Sequence, residues 1–205
     1  MADLASGGYP SVAGEYALQA FTPADVSRVV RQTMSRTQII ADNATPFASG
    51  AMLSVSIPLM AGDIVTKISF RSGATAAATP THYFFALYDP LGNFIAQTAD
   101  QTSTAWAADT TIDLALTTPY QVGATSGVAP TYYAGPGAYR VAISMAAGTI
   151  PSLVGVTLAR SAVSTSIYST DKPLSQTSGS GITATAPATI ASPSASAVYP
   201  WVGVH

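Results

Sequence analysis

Two histidines, one glutamate and no cysteine leave this chain little material for catalysis. The glutamate is Glu15; the histidines are His82, inside an apolar stretch, and His205 at the far end of the sequence. A Ser-His-Asp triad needs a histidine held between a hydroxyl and a carboxylate, and only His82 is placed to serve. Flanked by Tyr83 and Phe84 on an expected strand, it reads more simply as a packed or hydrogen-bonded residue. Glycoside hydrolysis needs two carboxylates about one bond. The pair would have to come from the aspartates, for example Asp89, Asp100, Asp109 and Asp113; Asp89 belongs to a turn, Asp109 and Asp113 flank a strand entry, and no pair stands out. Without cysteine there is no disulfide, thiol nucleophile or Cys-based zinc site, and two distant histidines do not form a zinc set. An Asp-x-Asp-Gly calcium loop is absent, and Asp100-Gln101-Thr102-Ser103-Thr104 reads as a turn. Gly135-Pro136-Gly137 leads into a strand rather than a helix, so it does not cradle phosphate. The expectation is no catalytic residue, no cofactor and no metal.

Sugar binding is the chemistry best supplied, because an exposed face of β-structure can present aromatic platforms. Most of the aromatics between Tyr83 and Tyr139 are needed to fill a core. The candidates for exposure are Trp106, set among Thr104, Ala105, Ala107 and Ala108, and the pair Tyr132-Tyr133 in a Pro/Gly loop.

The elements that would carry these residues are mainly β. Leu53, Val55 and Ile57 alternate with serines. Ile64, Thr66, Ile68 and Phe70 alternate with Val65, Lys67, Ser69 and Arg71. Residues 82–88 are aromatic on both faces, as in a strand covered on each side. Asp89-Pro90-Leu91-Gly92 carries the type I turn signature and predicts a hairpin into Phe94-Ile95-Ala96-Gln97. Further strands are expected at 111–116, with Ile112, Leu114 and Leu116 inward, at 138–145, with Tyr139, Val141, Ile143 and Met145 on one face, and at 153–158. Eight or so short strands between turns predict an antiparallel, jelly-roll-like β-sandwich over residues 45–160.

The ends read differently. Residues 1–21 look like an arm. Thr22 as N-cap, Pro23 in the first turn and Val26, Val29, Val30 and Met34 at helical spacing predict a helix over about 23–37. Arg28, Arg31 and Arg36 lie mostly off that stripe and are candidate assembly contacts. Residues 161–198 hold 16 Ser or Thr among 38 positions and predict an extended tail rather than strands. The apolar Val198-Tyr199-Pro200-Trp201-Val202 that follows reads as an anchor, with Tyr199 and Trp201 packing on the core or on another chain.

Composition narrows the partners. Only 8 Lys+Arg and 10 Asp+Glu occur, 9% of 205 residues against about 25% in a typical domain, and the net charge is −2. That gives no basic footprint for nucleic acid. No run of 18 apolar residues exists for a membrane helix. Met1-Ala2-Asp3-Leu4 lacks a basic n-region and an apolar h-region, so no secretory signal is expected; a protein of this kind found outside a cell would leave by another route, of which assembly inside a cell followed by lysis is one.

One stretch carries a family look. From Ile68 it reads Ile-Ser-Phe-Arg-Ser-Gly-Ala-Thr-Ala-Ala-Ala-Thr-Pro-Thr-His-Tyr-Phe-Phe-Ala-Leu-Tyr-Asp, then Gly-Asn-Phe-Ile-Ala-Gln-Thr-Ala-Asp-Gln, Ala-Trp-Ala, and Leu-Ala-Leu-Thr-Thr-Pro-Tyr up to Tyr120, with Gly137 to Ile143 fitting behind it. This resembles a β-sandwich module in virion proteins of tailed bacteriophages, notably those infecting actinobacteria, where it occurs in minor tail, fibre and head-decoration proteins. The resemblance covers about a quarter of the chain and carries no catalytic motif. It implies a virion structural protein. The leading expectation is a capsid decoration protein bound to the major capsid protein through its terminal arms, as a homo-oligomer with a trimer among the options. The alternatives are a minor tail or fibre protein touching a host surface glycan, and a carbohydrate-binding module or glycan-active enzyme.

Overall fold

A computed structural model of the chain describes residues 29–123, 134–158 and 172–205. The alternation of leucine, valine and isoleucine with serine makes Met52–Leu59 a strand, β3, with Leu53, Val55, Ile57 and Leu59 in the main core. Before it come β1 (Arg31–Gln32) and β2 (Ala41–Asn43); after it come β4 (Ile64–Arg71), β5 (Ala78–Tyr88), β6 (Phe94–Gln97), β7 (Thr111–Gln121), β8 (Gly137–Thr149) and β9 (Leu153–Thr157). The chain closes with β10 (Ser175–Ser178), β11 (Ser194–Ala195), β12 (Val198–Pro200) and β13 (Val202–Val204).

These strands form an antiparallel β-sandwich. One sheet has the order β11-β10-β3-β8-β5-β6, the second β1-β13-β4-β7, and a short third β12-β9-β2. The central pairing is nested: β3 with β8, β4 with β7, β5 with β6. First joins last and the middle strands join each other, which is the wrapping of a jelly roll, achieved here with six strands. The expected Asp-Pro-Leu-Gly turn closes the innermost pair, the Gly92 amide donating to the Asp89 carbonyl at 3.0 Å, and Gly92 sits at φ 91°, where a side chain would be strained.

The core lies between the two larger sheets. β5 gives it Tyr83, Phe85 and Leu87, and β8 gives it Tyr139, Val141, Ile143 and Met145. The opposite face of the same strands, Phe84, Ala86, Tyr88 and Ala142, is buried a second time with Met52 under Ile182 and Ala186. The sequence reading of β5 as covered on both faces is therefore met, and the cover comes from the Ser/Thr/Ala-rich segment. Its backbone is stitched down along β6: the Gln97 side chain donates to the Ala184 carbonyl (3.1 Å) and accepts from the Ala186 amide (2.8 Å), and the Phe94 amide donates to the Ala188 carbonyl (2.9 Å).

Three expectations change. The described part of the segment predicted as a helix over 23–37 is not helical: Arg31 and Gln32 pair with Val204 and Gly203, and only Arg36–Gln38 makes a single 3₁₀ turn. β-branched Val29, Val30 and Thr33 have weak helix preference, and the edge of β13 offers their backbone partners, with Val30 N donating to Val204 O at 2.7 Å and Thr33 N to Val202 O at 3.0 Å. Residues 172–205 are not a strandless tail but supply β10 to β13, so the sandwich reaches well beyond residues 45–160. Within β4, the register slips between Val65 and Lys67. That bulge reverses the alternation, so Val65 is buried and Ile64 is exposed, although the simple pattern put Ile64 inward.

Candidate functional site

The residues singled out for chemistry fall at separate places. His82 and Asp100 do meet, with Nδ1 to Oδ2 at 2.6 Å. The meeting follows from the chain after β6 continuing alongside β5: Thr98 N donates to Phe85 O (2.9 Å) and Gln101 N to Tyr83 O (2.8 Å), which leaves Asp100 beside His82. Sequence reading named both residues and missed the pair, because a contact across a hairpin leaves no trace in local spacing. As chemistry the pair is two-thirds of a triad. No described hydroxyl is hydrogen-bonded to the outer ring nitrogen of His82. Asp100 Oδ1 and the Tyr83 hydroxyl are buried without partners, and burial raises the Tyr83 phenol above its ordinary value.

The Asp89 carboxylate serves the backbone. Asp89 is fully buried in its own turn, accepting from Leu91 N (2.8 Å), Asn93 N (2.7 Å) and Asn93 Nδ2 (2.8 Å). Asp113 stands exposed on β7 opposite Ser69. Among the described residues no group of three or more His, Asp or Glu is placed to hold a metal ion, and no helix is long and apolar enough to cross a membrane.

The expected aromatic platform is not formed by Trp106. It is 1% exposed, packed between Tyr83 and Phe85 at ring distances of 5.7 and 5.9 Å, with Nε1 donating to the Thr110 carbonyl at 3.3 Å. Trp106 is the one large residue of the segment 104–108, and its ring joins the main core. Tyr132, Tyr133 and Arg28 lie outside the described residues. Arg31 is engaged within its own chain, its Nε 3.0 Å from Asp63 Oδ2 and its Nη2 donating to Asp63 Oδ1. Arg36 sits in the exposed 3₁₀ turn.

Tyr199 and Trp201 also pack on their own chain. Tyr199 donates to the Ser56 carbonyl at 2.9 Å, and Trp201 Nε1 donates to Gln32 Oε1 at 3.1 Å while its ring covers Gly203. His205 completes the closure: its carbonyl accepts from the Thr66 amide, the Thr66 hydroxyl and the Lys67 amide, and its ring meets the Ser69 hydroxyl at 2.7 Å.

Among the described residues, a shallow groove opens on the surface. Its walls include Thr45, Phe47, Thr177, Ser178, Ser192 and Ser194, and it encloses about 660 Å³. Its lining is hydroxyl, methyl and the Phe47 ring, without a charge. A groove of this kind can hold a neutral, hydrogen-bonding chain, either polypeptide or glycan. Comparison with known protein families, curated proteins and solved structures finds no match to this chain.

Proposed function

We propose that this protein is a non-enzymatic structural subunit of a tailed-phage particle, a capsid decoration protein that grips the shell through the segment preceding β1 and displays the sandwich outward. The observation that carries this reading is the position of β1. It is an edge strand, and residues 1–28 join the sandwich there. Twenty-eight residues fully extended span at most roughly 90 Å, ample to reach a neighbouring subunit. The surface supports the same reading. With 9% charged residues and abundant Ser, Thr and Ala, it can approach another protein with little charge to desolvate. The resemblance of residues 68–120 to phage virion modules points the same way.

The test is removal of residues 1–28, a cut that spares β1 and the Thr33 contacts to β13. The expected outcome is a folded sandwich by circular dichroism that no longer co-sediments with particles. Full incorporation of the shortened chain would remove the arm from the account. A second reading, a tail component touching a host glycan, rests on the hydroxyl-lined groove. A glycan array that showed selective binding abolished by Ser192→Tyr, which would fill the groove, would move the weight to it.

A further inference from the structure

Arg140 is the most anomalous group in the molecule. It lies on β8 and faces away from the main core, as its alternation with Tyr139 and Val141 dictates, yet it is only 3% exposed. Its cross-strand neighbours are Ser56 on β3 and Tyr88 on β5, and Ser54 lies one diagonal step from it on β3. A diagonal neighbour on one sheet face is within reach of a long side chain. Arg140 Nη1 has no hydrogen-bond partner, and neither has Ser54 Oγ, which is fully buried.

Among the described residues, the surrounding groups do not supply a counter-charge. The Tyr88 hydroxyl donates to the Pro187 carbonyl at 3.0 Å, and the Tyr199 hydroxyl donates to the Ser56 carbonyl at 2.9 Å. The Leu174 carbonyl accepts the Ser56 amide at 2.8 Å. Asp89, next after Tyr88, turns its carboxylate into its own turn. A guanidinium stays protonated even where burial disfavours its charge. A buried guanidinium whose Nη1 lacks a partner is disfavoured through its charge as well as through the missing hydrogen bond.

We propose that Arg140 and Ser54 form a buried binding site for a small monovalent inorganic anion of the chloride class. Both orphan atoms carry hydrogens to donate, so the ligand must be an acceptor. The uncompensated charge makes it an anion. Near-complete burial restricts it to one or a few atoms. The ion enters when the layer of residues 182–190 and β12 opens locally, and once bound it holds that layer to the sheet.

Melting of the purified full chain tests this at constant ionic strength, with sodium chloride or bromide exchanged for sodium gluconate, whose anion is too large to enter. A ligand of the native state alone raises the melting temperature with the logarithm of its concentration. The wild type should show that rise in chloride and bromide. Arg140→Met, which keeps the bulk and removes the charge, should show none. Ser54→Ala should need at least about tenfold more chloride for the same shift. The ³⁵Cl resonance should be broadened by the wild type and released by added bromide, a readout that stands even if Arg140→Met does not fold. Equal melting in chloride and gluconate, with no ³⁵Cl broadening, would overturn the proposal and leave a water as the occupant.

Discussion

Trp106 shows how a single side chain changes meaning when its surroundings are known. Small neighbours on both sides made it look like a surface platform, yet the ring is buried in the main core. Trp106→Ala should therefore cost about 3–5 kcal/mol of stability, seen as a lower denaturation midpoint, rather than a selective loss of sugar binding. A variant of unchanged stability would mean the ring is not in the core. Tyr199 supplies a second test at this scale. Burial pushes its phenol up to about 12, with the nearby Arg140 charge pulling weakly the other way. The folded state therefore holds this proton more tightly than the unfolded chain, whose phenol titrates near 10. The associated stability is present below pH 10 and is lost as the pH rises towards 12. Tyr199→Phe should flatten the part of the alkaline unfolding curve between those values; an unchanged curve would assign that slope to the buried Tyr83 and Tyr88 alone.

At the scale of elements, the C-terminal strands do the closing. β12 lies so close to β9 that a methyl group on Gly155 would collide with the Tyr199 carbonyl and stand 2.7 Å from Pro200 Cα. Backbone cannot yield as a side-chain tip can, so Gly155→Ala should destabilise by about 1–3 kcal/mol and expose Trp201, read as a red-shifted and quenchable tryptophan fluorescence. Unaltered fluorescence with unaltered melting would mean that β12 does not pack there. The contrast between legible and illegible elements follows from what holds each one. β3, β5 and β8 bury one face or both along eight or more residues, so the period of two is written in their side chains. β10 to β13 are two to four residues long and are held by backbone bonds to strands that already exist, which composition does not record. Ile182, Ala186 and Ile190 cover the outer sheet at a spacing of four in an irregular segment, a pattern with no strand period. The irregularity between Val65 and Lys67, where β7 advances five residues to two on β4, inverts a readable alternation. The residues 29–37 carried a helix-like spacing, and tertiary pairing with β13 overrode it. The His82–Asp100 pair and the Arg140 environment were hidden for a related reason, since both are made by register between strands far apart in the sequence.

For the whole molecule, β13 lies between β1 and β4, and β1 is at the edge of that sheet among the described strands. A sheet with β13 inside and β1 at its edge is suited to offering the segment that precedes β1 to a neighbour. A surface with so few charges is suited to close, unspecific-looking but extensive contact of the kind a repeating shell provides. The measurement that bears most directly on this account is the copy number of the protein in gradient-purified particles, by quantitative mass spectrometry. The account predicts copies in the hundreds, in fixed ratio to the major shell protein. Absence from particles, or a handful of copies at one tail end, would contradict it.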